Sequence, residues 1–166
     1  MDGYHWPRAV LETFPDPEET LRRRGAPHTF DAASFLALVQ AIRQPLVLGG
    51  HPAAIHGPTF DHAIKDPVPN GVTIIQSHRL VVFEGLYIQL QSTPIWEEIP
   101  PLMDEQWWVE CPESTCRERL INRHITSGIC KNSVDAAHRA DTNDIVNGRF
   151  VLKHRIVAVT NILYNG

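Results

Sequence analysis

The pattern of apolar and polar positions predicts helices that alternate with short buried strands. Apolar residues at helical spacing follow Asp31, which predicts an amphipathic helix over 32–43 with Asp31 as its N-cap. Asp16, Pro17 and two glutamates predict the start of a shorter helix, because acids suit the positive end of a helix dipole. Gly25 is expected to end that helix.

Short runs of β-branched and other apolar residues predict the strands. Residues 72–75 and 80–83 are apolar on both faces and are bounded by turn residues, which is typical of buried strands in a parallel sheet. Further strands are predicted at 107–110 and 156–160. The stretch 44–70 is rich in glycine and proline and is predicted to be a loop.

Three later helices complete the predicted architecture. One includes 96–103, and a second runs over 112–127 to a C-terminal glycine. A third begins near Ser133, runs to about residue 146 and is ended by Gly148. Helices that alternate with short buried strands predict a layered α/β fold with a parallel sheet.

Composition and charge narrow the class of protein. The 166 residues are enough for one domain with a core, expected over 1–166, and the net charge of −4 offers no basic excess for nucleic acid. No apolar run approaches the length of a membrane span, and the first residues do not resemble a signal peptide. The three cysteines have no paired spacing, so we expect reduced thiols in a cytoplasmic protein rather than zinc ligands.

Glu84 is the first residue with a candidate chemical role. It ends the predicted strand 80–83 and is followed by Gly85. Ligands in open α/β sheets bind beyond the carboxyl ends of the strands, so an acid at this place can hold a water molecule of Mg²⁺. A solvated acid at the end of a strand explains the same residues equally well.

The predicted helix 112–127 carries Arg117, Arg119 and Arg123. Arginine suits phosphate because its planar guanidinium makes two hydrogen bonds at once. A solvated basic face, paired with Glu113 and Glu118, is the alternative interpretation and is preferred from the helix alone.

The next helix carries Arg139, Asn143 and Asn147 at intervals of four residues, with Asp144 and Arg149 beside them. A polar stripe at this spacing is usually the solvent face of a helix. Asparagine is a poor helix former, however, so two of them together indicate a specific contact.

Motifs of other enzyme classes are absent from the sequence. It contains no GxSxG nucleophile elbow and no GxGxxG motif. The polar residues described above suit phosphoryl transfer instead. That reaction needs a phosphate cradle, Mg²⁺, a group that positions the acceptor hydroxyl, and cations for the moving charge.

Four blocks of sequence carry a resemblance to a known family. Residues 1–5 (Met-Asp-Gly-Tyr-His) are similar to its Asp-Gly-Phe-His segment, and 23–31 are similar to its acceptor-side Gly-Ala-Pro-x-Thr-Phe-Asp block. Residues 58–67 look like the next acceptor-side loop, and 117–130 with 139–149 look like the lid and the segment after it. In this order and spacing the blocks resemble the phosphoribulokinase/uridine kinase family of P-loop kinases, most closely its uridine kinase-like members.

The resemblance implies a role for each matched residue. Asp2 and Glu84 would be catalytic, since Asp2 would accept or orient the proton of the acceptor hydroxyl and Glu84 would lie near the Mg²⁺ shell. The acceptor pocket would be shaped by Tyr4, His5, Phe30, Asp31, Phe60 and Lys65. In the lid region, about 112–149, the phosphates would be covered by Arg117, Arg119 and Arg123. The lid or nucleotide would be supported by Arg139, Asn143 and Arg149.

The chain departs from the family in one respect, because no glycine-rich GxxxxGK loop followed by Ser or Thr occurs in it. Members of the family use ATP and Mg²⁺ to phosphorylate a small molecule, here a nucleoside, a sugar phosphate or a pantothenate-like acceptor. Without the loop, the backbone N–H cradle and the Mg²⁺-binding hydroxyl are lacking. We therefore expect an incomplete three-layer P-loop kinase fold with weak or no turnover and no bound ATP or Mg²⁺.

The departure has three candidate origins. They are truncation of a longer chain, loss of the ATP chemistry with an acceptor- or partner-binding surface retained, and recovery of the first strand from a second copy or another chain. A sheet that lacks its first strand exposes an edge and apolar surface, which favours a homo-oligomer. A non-catalytic binding or interaction protein derived from the kinase fold is the alternative function.

Overall fold

The computed structural model describes residues 1–44 and 54–165. Their contacts form two compact units, Met1–Leu102 and Met103–Gly166. The expectation of one domain stays a prediction, and each unit is described by itself.

The first unit begins with short helical segments. They are, in order, the 3₁₀ turn Asp2–Tyr4, α1 (Arg8–Leu11), α2 (Pro17–Arg22), the 3₁₀ turn Pro27–Thr29 and α3 (Ala32–Arg43). The two predicted N-caps are confirmed. The Asp16 carboxylate accepts from the Glu19 N–H at 3.1 Å, and the Asp31 carboxylate accepts from the Ser34 N–H at 3.0 Å.

The core of the first unit is rich in aromatic residues. Phe35 of α3 lies with its ring centroid 6.4 Å from that of Trp96, and Trp96 lies 5.6 Å from Tyr87. The buried Tyr87 hydroxyl donates to the Gly25 carbonyl at 2.6 Å, so the polar end of this core residue has a partner. The largest fully buried side chains of the unit are Tyr87, Phe35, Leu11, Leu90, Ile99, Val39 and Thr29.

An antiparallel hairpin occupies part of the stretch predicted to be loop. Its strands are β1 (Ile55–Asp61) and β2 (Asp66–Ile74), paired from Ile55 opposite Ile74 to Asp61 opposite Asp66, with an irregularity between Gly57 and Thr59. The loop prediction is therefore wrong over 55–61 and 66–70 but correct for the turn 62–65, while 45–53 lie outside the described residues. The prediction rested on glycine and proline content, which does not reveal a hairpin that is stabilised by cross-strand pairing.

The predicted parallel strands 72–75 and 80–83 are wrong. Residues up to Ile74 belong to the antiparallel β2, and 80–83 form no strand. Leu80 and Val82 are 79% and 77% exposed. A strand needs a neighbour for its backbone hydrogen bonds, and the described residues offer 80–83 none.

The predicted helix over 96–103 is replaced by two 3₁₀ turns, Trp96–Glu98 and Pro100–Leu102. The adjacent prolines at 100 and 101 lack the N–H groups that a continuous α-helix needs.

The second unit contains a two-stranded parallel sheet. Its strands are β3 (Trp107–Glu110), as predicted, and β4 (Asn161–Tyr164), which begins after the predicted strand 156–160 ends. The Thr160 hydroxyl instead accepts from the Gln106 N–H at 3.0 Å and leads into the pairing. Apolar content misplaced the strand, because it does not show which residues pair with β3.

Three helices accompany this sheet in the second unit. They are α4 (Glu113–Thr126), α5 (Ser133–Arg139) and α6 (Ile145–His154), with a π-helical turn Ala140–Asp144 between the last two. Gly148 does not end a helix as predicted, since it lies inside α6. Gly128, with φ of 66°, does follow α4 and has the left-handed backbone that favours glycine there.

Within residues 1–44 and 54–165, no helix combines the length and the apolar character that a membrane crossing requires.

Candidate functional site

The segment of Asp2 lies against the predicted acceptor block in the first unit. The Asp31 N–H donates to the Tyr4 carbonyl at 2.7 Å, and His5 forms an antiparallel bridge with Phe30. The His5 ring is 2.8 Å from the Asp2 carbonyl through Nδ1. Two blocks that are 25 residues or more apart in sequence thus meet through Tyr4 and His5, and the exposed Asp2 belongs to the same short segment.

Aromatic rings surround His5. Its ring centroid is 3.9 Å from that of Phe30 and 5.1 Å from that of Phe60. Burial lowers the pKa of His5, and the Arg24 charge lowers it further, against the raising effect of Asp2. A neutral imidazole beside two rings suits contact with a planar or apolar group.

Gly3 permits the close approach of this segment to β1. A Cβ atom at Gly3 would lie 2.2 Å from the Pro58 carbonyl oxygen. Only glycine fits at that separation, so the small residue between Asp2 and Tyr4 has a steric reason.

Tyr4 contributes to the core beneath the candidate pocket. Its side chain is buried, and its ring lies 5.1 Å from that of Phe35. Burial raises the pKa of Tyr4 to about 12, with a smaller contribution from the Asp31 charge. The phenol is therefore protonated at neutral pH.

Arg24 is the functional candidate that sequence reasoning missed. Its guanidinium donates to the Asp66 carboxylate at 2.6 Å, to the Trp6 carbonyl at 3.0 Å and to the Lys65 carbonyl at 2.5 Å. It also lies 5.7 Å from the Phe60 ring centroid. Arg24 and Asp66 both lie in blocks that resemble the kinase family. An arginine and an acid in neighbouring blocks could have predicted this ion pair.

Lys65 lies in the turn of the hairpin, with φ of 59°. The Asp61 carboxylate organises this turn by accepting from the Ala63 N–H at 2.7 Å. The Lys65 side chain is exposed, so its charge is available to an anion.

Glu84 lies beside the start of the chain. The Met1 ammonium donates to the Glu84 carbonyl at 2.6 Å, and a Cβ at Gly85 would lie 2.2 Å from the Met1 side chain. The two predicted catalytic residues, Asp2 and Glu84, are therefore brought into one neighbourhood. Glu84 is exposed, and a single carboxylate suits Mg²⁺, which usually keeps several waters. Among the described residues no group of three or more His, Cys, Asp or Glu side chains could hold a metal ion.

The predicted lid arginine Arg117 and the predicted support residue Arg149 form ion pairs inside the second unit. Arg117 makes two hydrogen bonds to Asp141, at 2.6 and 2.8 Å, and Arg149 makes two to Glu113, at 2.8 and 2.6 Å. These hydrogen bonds lower the pKa of both carboxyls. All four side chains are largely solvent-exposed, so the arginines can exchange partners at little cost.

The other two predicted lid arginines differ. The Arg119 guanidinium lies 3.7 Å from the Cys111 sulfur and 3.5 Å from the Asn165 carbonyl. Arg123 is exposed. The structure does not bring the three lid arginines to one point within this unit.

The two asparagines of the polar stripe are buried inside the second unit, whereas Arg149 is exposed. Asn143 and Asn147 are 2% and 3% exposed, which decides for a specific contact over a solvent face. His124 is also buried, and its Nε2 lies 2.8 Å from Asp144. Arg139 is half-buried, and its Nε has no hydrogen-bond partner among the described residues.

Comparisons with known proteins give the chain relatives among kinases. It is 44% identical over 156 residues to the ATP-dependent kinase-like protein notR' of Aspergillus versicolor, a match that covers 94% of this chain and 89% of that protein. It is 35% identical over 156 residues to a provisionally assigned uridine kinase of Schizosaccharomyces pombe, covering 94% of this chain and 64% of the relative. No protein-family model matches the chain.

A solved structure shares the fold. YFH7 from Saccharomyces cerevisiae, provisionally assigned as a P-loop containing kinase with a circular permutation, superposes with a TM-score of 0.84 at 28% identity. The match covers 99% of this chain and 56% of that one, so the chain spans little more than half the length of YFH7. The predicted α/β P-loop kinase-like fold class is confirmed, although several strands were misplaced. The chain belongs to the family of P-loop kinases that includes the ATP-dependent kinase-like protein notR'.

Proposed function

We propose that the chain binds the acceptor and covers the phosphates in ATP-dependent phosphorylation of a hydroxyl group on a small molecule. The observation that carries the proposal is the cluster of His5, Phe30 and Phe60, whose rings lie tilted against one another, with the exposed Asp2 in the adjoining 3₁₀ turn. An acid beside a surface that packs a ring or an aliphatic arm is what acceptor activation requires. The kinase names of the relatives support this reaction class.

Each predicted residue has a role in this proposal. Asp2 positions or deprotonates the acceptor hydroxyl, while Lys65 and the shape of the surrounding pocket orient the acceptor. Glu84 would hold a water molecule of Mg²⁺, and the ion would supply positive charge to the phosphates. The residues that shape the acceptor pocket are Tyr4, His5, Phe30, Asp31 and Phe60.

The second unit supplies the proposed lid. Arg117 and Arg149 exchange Asp141 and Glu113 for phosphate oxygens, because guanidinium binds both kinds of oxygen with the same fork. The remaining lid and support residues are Arg119, Arg123, Arg139 and Asn143.

The acceptor classes are a nucleoside, a sugar phosphate and a pantothenate-like molecule. Because the sequence contains no GxxxxGK loop, we expect weak turnover by these 166 residues. The second candidate is a non-catalytic binding protein. It is favoured by the exposed Leu80 and Val82, which also suit pairing between copies. The three free thiols fit a cytoplasmic location.

A transfer assay tests the proposal. The chain is incubated with Mg²⁺ and γ-labelled ATP and with each acceptor class, and acceptor binding is measured separately by calorimetry. We expect slow transfer that Asp2→Asn reduces by about 10²- to 10⁴-fold. Glu12→Gln removes the charge of an exposed carboxylate in the same unit and should leave the rate of transfer unchanged. Acceptor binding without transfer would select the non-catalytic candidate, and neither binding nor transfer would refute both.

Light scattering tests the pairing of copies. A monomer at all concentrations would exclude pairing through 80–83. A dimer that Leu80→Lys and Val82→Lys dissociate would support it.

A further inference from the structure

A cavity lies in the first unit, bordered by Phe30 and Asp31. Its volume is about 390 Å³, which is within the range of small-molecule sites. Three aromatic side chains contribute to its wall, namely Trp6, Phe30 and Trp96. Its polar side chains include those of Asp31 and His28.

The aromatic walls are held in place by the fold. Phe30 and Trp96 are both buried, with ring centroids 6.2 Å apart at an interplanar angle of 79°. The Trp6 N–H donates to the Thr29 carbonyl at 2.9 Å, and the Trp6 carbonyl accepts from Arg24. The cavity is therefore largely formed before any ligand arrives.

The charge of the lining is negative. Among the lining residues that the structure describes, Asp31 is the one carboxylate, and none is lysine or arginine. Burial lowers the pKa of His28, as does Arg23 nearby, against a raising effect of Glu19. The imidazole is thus mostly neutral at pH 7 and does not offset Asp31.

The rim of the cavity contains a strained turn. Ile95 has φ of 69° and ψ of −51°, and the Trp96 N–H donates to the Pro94 carbonyl at 2.9 Å. This is a γ-turn with positive φ, a rare conformation for a β-branched residue. Backbone strain of this kind clusters at ligand sites and switch regions. The backbone angles of Ile95 are an observation separate from the cavity volume, and both point to the same part of the first unit.

We propose that this cavity binds an organic cation, an ammonium group attached to a ring or a short apolar arm. Aromatic walls and a carboxylate attract such a group, because ring electrons and the carboxylate are both negative and the cation loses only part of its hydration. A sugar phosphate or another anion is disfavoured by the same charges. The binding does not depend on phosphoryl transfer.

Three probes of one shape test the proposal by calorimetry and tryptophan fluorescence. They are 2-phenylethyltrimethylammonium, neutral 2-phenylethanol and the anion 3-phenylpropanoate. We expect the cation to bind about tenfold or more tightly than the anion. Asp31→Asn should lower the affinity for the cation about tenfold and leave the affinity for the alcohol unchanged. Asparagine keeps the N-cap of α3 but removes the negative charge.

Asp16→Asn is the matched control. Asp16 caps α2 as Asp31 caps α3, and it does not line the cavity. Cation affinity should survive this substitution. Trp6→Leu is a second variant, and it should lower the affinity for the cation more than the affinity for the alcohol. Equal affinity for cation and anion, equal effects of the two aspartate variants, or no binding of any probe at millimolar concentration would each overturn the proposal. Those results would leave the kinase assay untouched, so the two failures are distinguishable.

Discussion

The Arg24 guanidinium donates to the Asp66 carboxylate at 2.6 Å across 42 residues of sequence. This ion pair joins the block after α2 to the first residue of β2, and both side chains are mostly buried. The same guanidinium reaches the Trp6 and Lys65 carbonyls, so one side chain ties three segments of the first unit together.

Arg24→Ala should therefore destabilise the protein by about 3 kcal/mol. It removes the cation that pairs with the mostly buried Asp66 carboxylate, which keeps the Arg8 N–H, and it takes a donor from two carbonyls. The free energy of unfolding from urea denaturation measures the loss. Arg22→Ala is the control, because the Arg22–Glu19 pair is exposed and its removal should not be detectable. Equal losses for the two variants would contradict the role of Arg24.

Gly3→Ala should destabilise by about 1–3 kcal/mol, because its Cβ would collide with the Pro58 backbone. Gly148→Ala should act in the opposite direction, raising the free energy of unfolding by about 0.5–1 kcal/mol. Gly148 lies inside α6 with nothing within 4 Å of its Cβ position. Thermal denaturation of both variants tests the pair. A neutral Gly3→Ala would show that the Asp2 segment can move away from β1.

Acid should weaken the first unit through His5. Its folded pKa lies below the ordinary 6.5, so the unfolded chain binds the proton more readily. The free energy of unfolding should fall as the pH drops below about 6.5 and should level off once the pH is below the folded pKa. His28 acts in the same direction.

Unfolding measured between pH 5 and 7.5 checks this dependence. His5→Phe keeps a ring against Phe30 and removes the titration, so its pH slope should be smaller than that of the unchanged protein. His5→Phe combined with His28→Asn should flatten it further. The opposite slope, or one that neither substitution alters, would rule out this source of the pH dependence.

The His124–Asp144 contact should be energetically coupled. His124 is buried and its Nε2 is 2.8 Å from Asp144, so a double-mutant cycle to alanine should give about 1–2 kcal/mol of interaction energy. The same cycle for Arg117 and Asp141, an exposed pair, should give no measurable coupling. If the two cycles agreed, burial would not be what strengthens the contact.

Local signals in the sequence predicted α2, α3 and α4 correctly. Asp31 and Asp16 cap helices by bonding N–H groups three residues away, and Gly128 ends α4 by its own backbone preference. These interactions involve near neighbours, so the sequence pattern alone contains them.

Strands failed where their pairing partners decided the outcome. Residues 80–83 have the composition of a buried strand but no neighbour among the described residues, whereas β1 contains a glycine and a proline and pairs along its length. Composition reports the preference of a segment and not the presence of its partner.

The candidate site was predicted only in part, because some of its contacts depend on residues that are distant in sequence. The resemblance named His5, Phe30 and Phe60, and the structure brings their rings together. It named Asn143 only as a support residue, and the burial of that side chain depends on packing from elsewhere in its unit. The long-range contacts of Arg24 follow from the tertiary fold, which no local pattern encodes.

The π-helical turn Ala140–Asp144 determines the rotational phase of α6. Each residue of an α-helix advances the direction of its side chain by about 100°, so one additional residue would turn Asn147 and Val151 away from the interior. A wide turn absorbs such a residue locally. Both side chains are buried in α6. The length of this turn therefore decides which face of α6 is internal. Deleting one residue from the turn would bring a different face of α6 to the interior.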